Sequence, residues 1–334
     1  MLSRVAENMY WFARYLERAE NTARLISVHT NLLLDLPKTL SFGWAPLIAI
    51  TGCHEGFIKR YQDFTEQNVI HFLLGEKENS GSLLSSLVLA RENLRTTRDI
   101  VPREAWEHLN DLYLFANDYM DRGLSRYRRH DYLKHIIGCS QLIAGLLEGT
   151  MSHDTAYDFI LLGRNLERAD MTTRILDVRS EDLLIRHYKQ LSPFENIQWM
   201  SVLKSLTGYQ MYRRHVRMRV IAGDVLRFLL QDKHFPRALA FCLSGMEDSL
   251  RRLPRHQSLL SHIDELCREV QQANIRELAG AGAALSSHLD DLQLKLAGLH
   301  DQISAIYFSS EAINTESSVA SPLLGMSQSQ QPTN

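Results

Sequence analysis

Proline and glycine are scarce in this chain, with 8 prolines and 17 glycines among 334 residues. Because both residues interrupt regular helices, their scarcity favours a mostly helical protein. No run of about 18 uncharged apolar residues occurs, so no membrane-spanning helix is expected. Glu7 and Arg14 fall where a signal peptide would need an apolar core, so the start of the chain is not predicted to be one. The net charge of −2 favours neither nucleic acid nor a membrane surface as a partner.

Cysteine is rare, and the four cysteines lack the spacing of metal or redox sites. Cys53, Cys139, Cys242 and Cys267 are scattered without CxxC or CxxH spacing, which is typical of buried free thiols in a cytoplasmic protein. There is no Walker loop, GxSxG, HExxH or strand-linked GxGxxG motif, and the 14 histidines show no metal-ligand spacing. The sequence therefore predicts no cofactor and gives no catalytic signature.

An internal repeat is the strongest feature that is present. The segment 14–28 reads RYLERAENTARLISV, and the segment 164–178 reads RNLERADMTTRILDV. Eight of the fifteen positions are identical at an offset of 150, namely Arg14/Arg164, Leu16/Leu166, Glu17/Glu167, Arg18/Arg168, Ala19/Ala169, Thr22/Thr172, Arg24/Arg174 and Val28/Val178. Self-similarity of this kind indicates a duplicated structural unit.

Weaker matches follow in the same order at offsets of 154 to 156. Phe72-Leu73-Leu74 corresponds to Phe228-Leu229-Leu230, and Thr51-Gly52 corresponds to Thr207-Gly208. Because insertions in loops shift such an offset, we interpret the chain as a tandem duplication with halves of about 1–150 and 151–310, inside one domain of 1–312. The segment 313–334 is rich in Ser, Gln and Pro and is predicted to be a disordered tail.

The apolar periodicity predicts an all-α fold, a bundle of about ten to twelve helices built from two pseudo-symmetric halves. Apolar residues recur at steps of three and four, and no alternating strand pattern occurs. The two repeat helices, 3–36 and 152–188, should lie in contact near a pseudo-twofold axis. The remaining predicted helices are 42–61, 66–74, 82–98, 102–123, 132–147, 195–214, 221–230, 237–253, 259–279 and 285–308.

The repeat also places charged side chains in one sector of each helix. Glu17, Glu20 and Arg24 share a sector beside the apolar stripe, and the second copy repeats this sector as Glu167, Asp170 and Arg174. One interpretation is a set of i,i+4 ion pairs within a buried Glu/Arg network that holds the halves together. The other is a ligand site, in which Arg24 and Arg174 bind the ligand and Glu17 and Glu167 are catalytic candidates.

A metal is not expected at these carboxylates. Glutamates with an i,i+3 acidic partner suit Mg²⁺ or a di-metal centre, but di-iron bundles use Glu-x-x-His, and no histidine stands at that position here. Nearby arginines also crowd the carboxylates with positive charge, namely Arg18, Arg24, Arg168 and Arg174.

A second arginine group lies in the segment 90–99. Arg91, Arg95 and Arg98 share one predicted helix face. Arg95 recurs as Arg251, and Glu92 recurs beside it as Asp248, so we expect these pairs to be buried and structural. Arg91 and Arg98 do not recur, and Arg237, in Phe235-Pro236-Arg237, stands at a helix start. We therefore interpret Arg91, Arg98 and Arg237 as candidates for binding an anionic ligand or a partner.

Several long motifs together resemble the bacterial alpha-E domain family. They are MLSRVAENMYWFARYLERAENTARL, ARENLRTTRD followed by AWEHLNDLY, LGRNLERADMTTRILDV, WMSVLKSLTGYQMYRR and DKHFPRAL, and they span about residues 1–310. The sequence departs from the family at Ser80, where a proline is usual, and at Ala238, where a serine is usual.

The resemblance implies an all-helical protein without a settled activity, whose characteristic glutamates are Glu7, Glu17 and Glu167. It also implies partners: a circularly permuted ATP-grasp ligase-like protein, a transglutaminase-like protease and a proteasome-like peptidase. We therefore expect an accessory helical subunit of a bacterial peptide synthesis or modification system, working with an ATP-grasp amide ligase. Two alternatives are an enzyme that acts on an amide or phosphorylated intermediate through Glu17 and Glu167, and a purely structural interaction module.

Overall fold

A computed structural model of the protein describes residues 2–35, 43–184, 192–216, 219–280 and 282–309. These residues form sixteen helices and no strand. The first eight are α1 (Ser3–Asp35), α2 (Ala45–Ile50), α3 (His54–Ile58), α4 (Glu66–Leu74), α5 (Leu83–Arg95), α6 (Arg103–Asp118), α7 (Met120–Leu124) and α8 (Arg129–Thr150). The others are α9 (Thr155–Leu184), α10 (Ser192–Ser205), α11 (Tyr209–His215), α12 (Ala222–Gln231), α13 (Leu239–Arg252), α14 (Gln257–Gln272), α15 (Ile275–Gly280) and α16 (Gly282–Tyr307).

The all-α prediction is confirmed, but the expected count of ten to twelve helices is too low for the described part of the chain. Four predicted helices are each broken into two, namely 42–61, 102–123, 195–214 and 259–279. Two of the breaks contain a residue in the left-handed region, Gly52 with φ 69° and Thr207 with φ 55°. A right-handed helix cannot continue through such a residue. The other two breaks, at Tyr119 and Ala273, contain neither glycine nor proline.

Helices α1 and α9 pack against each other at the centre of the fold, as the repeat predicted. Both bury an apolar stripe, to which Leu16, Ala19, Leu166 and Ala169 belong. The helices approach each other closely at Gly163. A Cβ atom built on Gly163 would lie 3.0 Å from the carbonyl carbon of Tyr10 and closer still to its oxygen, so this crossing requires glycine.

The other helices surround the central pair, and the helices of the two halves make corresponding contacts. In the first half, α5 and α8 pack on α1, and α6 packs on both of them. In the second half, α13 and α16 pack on α9, and α14 packs on both of these. Helices α2 and α10 cross over, since α2 packs on α9 and α10 packs on α1. The central helices are therefore enclosed on several sides, and their inward-facing charges are removed from water.

Local sequence signals explain where several helices begin. Thr65 and Ser82 cap α4 and α5, because their side chains accept hydrogen bonds from the backbone N–H groups of Asn68 and Ser85. Ala238 occupies the equivalent capping position of α13 and provides no side-chain acceptor. The serine that is usual in the family at this position would supply one.

Other predictions meet the structure in different ways. Of the four free cysteines only Cys242 is buried, and the other three are partly exposed, so the expectation of uniformly buried thiols is wrong. Within the described ranges, no helix is long and apolar enough to cross a membrane. The predicted tail, 313–334, lies outside the described residues.

Candidate functional site

Reciprocal Glu-Arg ion pairs join α1 and α9. Arg18 of α1 binds Glu167 of α9 in a bidentate manner, with Nε 2.6 Å from Oε1 and Nη2 2.9 Å from Oε2. In return, Arg168 of α9 donates from Nε to Oε2 of Glu17 over 3.0 Å. Both glutamates are almost inaccessible, with Glu17 4% and Glu167 1% exposed. Equivalent residues of the two repeats therefore exchange their partners across the helix crossing.

The second arginine partner of each glutamate differs between the two sides. Glu167 also accepts a 2.8 Å hydrogen bond from Nε of Arg14, its neighbour on α1. Glu17 instead meets Arg237, whose Nη1 lies 2.6 Å from Oε1 of Glu17. Arg237 belongs to the segment between α12 and α13, far from α1 in sequence. At an offset of 156 its counterpart in the first half is Gly81, which has no side chain to offer.

Arg237 is the centre of the part of the network that includes Glu17 and Glu20. Its Nη1 donates to Oδ1 of Asn21 over 2.7 Å, and its Nη2 donates to Oε1 of Glu20 over 3.1 Å. The same Glu20 oxygen accepts a hydrogen bond from Arg24 and another from the side-chain amide of Gln141. A planar guanidinium with several donors suits such a junction better than an ammonium group would.

The arginines keep both central glutamates ionised. Burial disfavours the charged form of Glu167, but the guanidinium groups of Arg18 and Arg14 outweigh this effect and lower its pKa to about 2. Burial also opposes the ionisation of Glu17, and Arg168 and Arg237 lower its pKa in the same way. The two pKa values therefore move in the same direction, unlike the split expected of an acid and a base.

The i,i+4 pairs predicted from the spacing are present. Arg24 pairs with Glu20, and Arg174 donates from Nε to Asp170 over 2.9 Å. Burial raises the pKa of Asp170, although Arg174 opposes this shift. The Arg174 guanidinium lies against Gly52, where an added Cβ would come within 2.7 Å of Nη1. Both predicted ligand-binding arginines therefore already have protein partners.

A cleft of about 620 Å³ opens beside the network, between α8, α9 and α13. Its inner wall includes the charged side chains of Glu20, Arg164, Arg168 and Arg237. The volume lies within the range of about 300–1,000 Å³ that is typical of small-molecule sites. The cleft is lined mainly by second-half residues, and the first-half helix α8 supplies one wall.

The structure does not bring Arg91 and Arg98 to this cleft. Arg91 donates from Nε to Oδ1 of Asn110 over 2.8 Å and stacks on the rings of Trp106 and Tyr113. Arg98 is exposed in the turn after α5 and forms no ion pair with any described residue. Of the three arginines that break the repeat, only Arg237 joins the Glu-Arg network.

The expected buried pairs at Arg95 and Arg251 are a wrong prediction. Arg95 binds Glu92 over 2.6 Å, but both side chains are more than half exposed. Arg251 pairs with Glu247 rather than with Asp248, and the Arg251 side chain is also exposed. Helical periodicity placed these residues on one face without showing that this face points to solvent.

Sequence reasoning missed some of the site. Arg14 and Arg164 were visible as an identical pair in the repeat, but their roles differ and only the structure separates them. Tyr10 hydrogen-bonds His300 of α16 over 2.8 Å beside Arg14, and no sequence signal linked these residues. Glu7, the third glutamate expected from the resemblance to the alpha-E family, is partly exposed and forms no ion pair with the described residues.

Metal binding has no support from the arrangement of ligands. Within the part of the chain that the structure describes, no three His, Cys, Asp or Glu side chains are placed to hold a metal ion. The carboxylates at the α1–α9 crossing are each occupied by guanidinium groups, which would repel a cation.

These features define a class of all-helical domain in which Glu-Arg dipeptides on two central helices pair reciprocally. The chain belongs to the Alpha-E family, described as a predicted alpha-helical domain with a conserved ER motif, and the family model matches residues 1–308. The Glu-Arg dipeptide occurs twice in the chain, at 17–18 and 167–168. These four residues are the ones that form the reciprocal pairs.

The similar curated proteins are uncharacterised. One from Mycobacterium bovis and one from Mycobacterium tuberculosis strain CDC 1551 are each 22% identical over 326 residues, covering 89% of this chain and 35% of the relative. A third, from M. tuberculosis strain H37Rv, is 21% identical over the same length. The chain thus spans about a third of the length of these relatives. No solved structure matches it.

Proposed function

We propose that the chain is an accessory helical subunit of a bacterial peptide synthesis or modification system and works with an ATP-grasp amide ligase. The resemblance to the alpha-E family supplies the partner, and a transglutaminase-like protease is a second expected partner. We expect this assembly to act in the cytoplasm. The binding role, as opposed to a catalytic one, rests on the state of Glu17 and Glu167.

The ionised, arginine-bound glutamates are the observation that supports a binding role. A general acid must carry a proton near neutral pH, and an efficient general base has a pKa close to the working pH. The pKa of Glu167 is about 2, and that of Glu17 is also lowered. Both carboxylates are buried and occupied by guanidinium groups. This arrangement favours a rigid scaffold beside a cleft over acid-base chemistry.

Reconstitution with an ATP-grasp amide ligase from the same organism tests the proposal. We expect the chain to co-purify with the ligase and to increase its ATP-dependent amide formation, measured as ADP release and as ligated product by mass spectrometry. The chain alone should convert neither an amide nor a phosphorylated intermediate. Absence of both complex formation and rate increase would contradict the accessory role.

The alternative function is an enzyme that acts through Glu17 and Glu167. It requires turnover of an amide or phosphorylated substrate by the isolated chain, and loss of that turnover in Glu17→Gln and Glu167→Gln variants that remain folded by circular dichroism. Turnover without the ligase would favour this alternative over the accessory subunit.

We also infer that the two halves, about 1–150 and 151–310, arose by tandem duplication. The inference is supported by the same order of eight helices in each half and by the reciprocal pairing of Glu17–Arg168 with Arg18–Glu167. Superposing α1–α8 on α9–α16 by a rotation near 180° should align each helix with its counterpart. An alignment that matches α1 with a helix other than α9 would contradict the duplication.

A further inference from the structure

Arg164 differs from its repeat counterpart in having no acidic partner. In the first half, Nε of Arg14 donates to Glu167 over 2.8 Å. The same relation would direct Arg164 to Glu17, but Arg237 occupies that position. No carboxylate among the described residues forms an ion pair with Arg164, and its buried Nε has no hydrogen-bond acceptor.

The inner wall of the cleft consequently carries more positive than negative charge. Three arginines and one glutamate make up its charged lining, namely Arg164, Arg168, Arg237 and Glu20. Arg164 interacts with the phenol of Tyr157, which is neutral at physiological pH, and the Glu17 carboxylate acts on it electrostatically without forming an ion pair. Burial lowers the pKa of Arg164, and the nearby Arg168 acts in the same direction. A guanidinium in such a position gains most from an anion that enters the cleft.

The outer wall carries two unpaired carboxylates, whereas Arg252, which also lines the cleft, is paired with the buried Asp158. Glu148 on α8 and Asp248 on α13 are exposed at the cleft and form no ion pair within the described ranges. Glu148 is near enough to influence Arg164 electrostatically but does not contact it. Apolar side chains of Leu161 and Phe241 also line the cleft. Two carboxylates at the entrance disfavour a multiply charged anion such as phosphate and favour a ligand that also carries a cation.

We propose that this cleft binds a zwitterionic α-amino acid or short peptide, with the ligand carboxylate on Arg164 and its ammonium group towards Glu148 and Asp248. The apolar wall at Leu161 and Phe241 receives the ligand side chain. This inference rests on the proposed function only for the suggestion that the ligand is a substrate for amide-bond formation. The charge arrangement of the cleft supports it independently.

Calorimetric titration of the full chain, without the ligase, tests the ligand class. The probes are L-phenylalanine, the dipeptide Ala-Phe, Ala-Phe amide without the carboxylate, N-acetyl-Ala-Phe without the ammonium group, and inorganic phosphate. We expect L-phenylalanine or Ala-Phe to bind with a stoichiometry of one. The probe with the higher affinity of these two identifies the length of the ligand. The amide and the N-acetyl form should each bind about tenfold more weakly or worse, because each lacks one charge-assisted contact.

Variants locate the binding site. Arg164→Gln should weaken binding of the zwitterion about tenfold or more, whereas Arg103→Gln, at an arginine whose side chain is 86% exposed on α6, should leave binding unchanged. If Arg164→Gln does not fold, two glycine-to-tryptophan variants test the same site by filling space. Gly145 and Gly138 are both on α8 with open space at the Cβ position, but only Gly145 lines the cleft. Gly145→Trp should abolish binding and Gly138→Trp should preserve it.

The outcomes separate this inference from the proposed function. Binding of neither zwitterion at millimolar concentration, equal binding by the Gly145→Trp variant, or tighter binding of phosphate would overturn the ligand assignment. Equal affinity for the N-acetyl form would overturn the role of Glu148 and Asp248. Zwitterion binding without any effect of the chain on the ligase would remove only the accessory role, whereas ligase stimulation without zwitterion binding would remove only the ligand assignment.

Discussion

At the α1–α9 crossing, replacing Gly163 by alanine should destabilise the protein, although helix propensity alone would predict stabilisation. Gly163 is inside α9, where replacing glycine by alanine in an exposed position normally stabilises a helix by about 1 kcal/mol. Here the added Cβ would lie 3.0 Å from the backbone carbon of Tyr10 and still nearer to its oxygen. Apolar contacts are most favourable at about 3.5–4.0 Å, so the two helices would have to separate by roughly 1 Å.

The separation would also affect the charged network. Arg14 and Arg18 reach Glu167 across the crossing over 2.8 and 2.6 Å, and these contacts would lengthen. Overpacking a close contact typically costs about 1–3 kcal/mol, and weakening buried ion pairs adds to that cost. After subtracting the propensity gain, we expect Gly163→Ala to lower the free energy of unfolding by about 1–3 kcal/mol.

Urea denaturation, followed by circular dichroism and extrapolated linearly to water, measures this change. Gly138→Ala is the matched control, because Gly138 is also helical but has no atom within 4 Å of an added Cβ. The control should gain about 0.5–1 kcal/mol. If Gly163→Ala were as stable as the wild type or more stable, the close approach of α1 and α9 would not be as described, and the geometry of the Glu-Arg pairs would be in doubt.

Three further predictions concern the charged residues. Arg237→Met should lower the free energy of unfolding by about 3–5 kcal/mol, because it leaves the buried Glu17 without one of its cations; a urea midpoint equal to that of the wild type would contradict this. Glu167 has a folded-state pKa of about 2 against an ordinary value of 4.5, so its stabilisation, roughly 3 kcal/mol, should be complete above pH 4.5 and lost as the pH falls through 2. Stability measured between pH 2 and 7 should therefore depend less on pH in Glu167→Gln than in the wild type. Arg95→Ala should leave the melting temperature unchanged because its ion pair is exposed. Arg91→Ala should lower the free energy of unfolding by about 1–2 kcal/mol through loss of a hydrogen bond and cation–π contacts. A larger loss of stability in Arg95→Ala than in Arg91→Ala would refute the placement of Arg95 at the surface and of Arg91 against the rings.

Much of the helical framework follows from local pattern. The predicted helix 66–74 coincides with α4, because a threonine cap begins it and apolar residues fill one face. The breaks were harder to predict. At Thr207-Gly208 it is the threonine, with φ 55°, that takes the left-handed conformation and not the glycine beside it. Neither Tyr119 nor Ala273 is a glycine or a proline, so no local signal marks either as the end of a helix.

Charge patterns on a helix show a similar division. The spacing of Glu20 and Arg24 gave their i,i+4 pair, because partners four residues apart on one helix are neighbours whatever surrounds them. On α5, the recurrence of Glu92 and Arg95 in the second half suggested a buried pair, and this pair is exposed. Burial depends on which face of the helix meets another helix, and the period of the sequence does not contain that information when leucines and arginines adjoin.

By itself, the sequence determined that this protein is helical, that its two Glu-Arg helices are related by a repeat, and that their apolar stripes should bring them together. These properties depend on residue type and on a period of a few residues, which a single chain displays directly. Only the tertiary structure decided which cation serves which glutamate. Arg237 reaches Asn21 and Glu17 from more than 200 positions along the chain. By occupying the place at Glu17 it leaves Arg164, whose repeat counterpart is paired, without an acidic partner at the wall of a cleft. Long-range contacts of this kind arise from the packing of whole helices, so identical residues in a repeated motif acquire different neighbours and different chemistry.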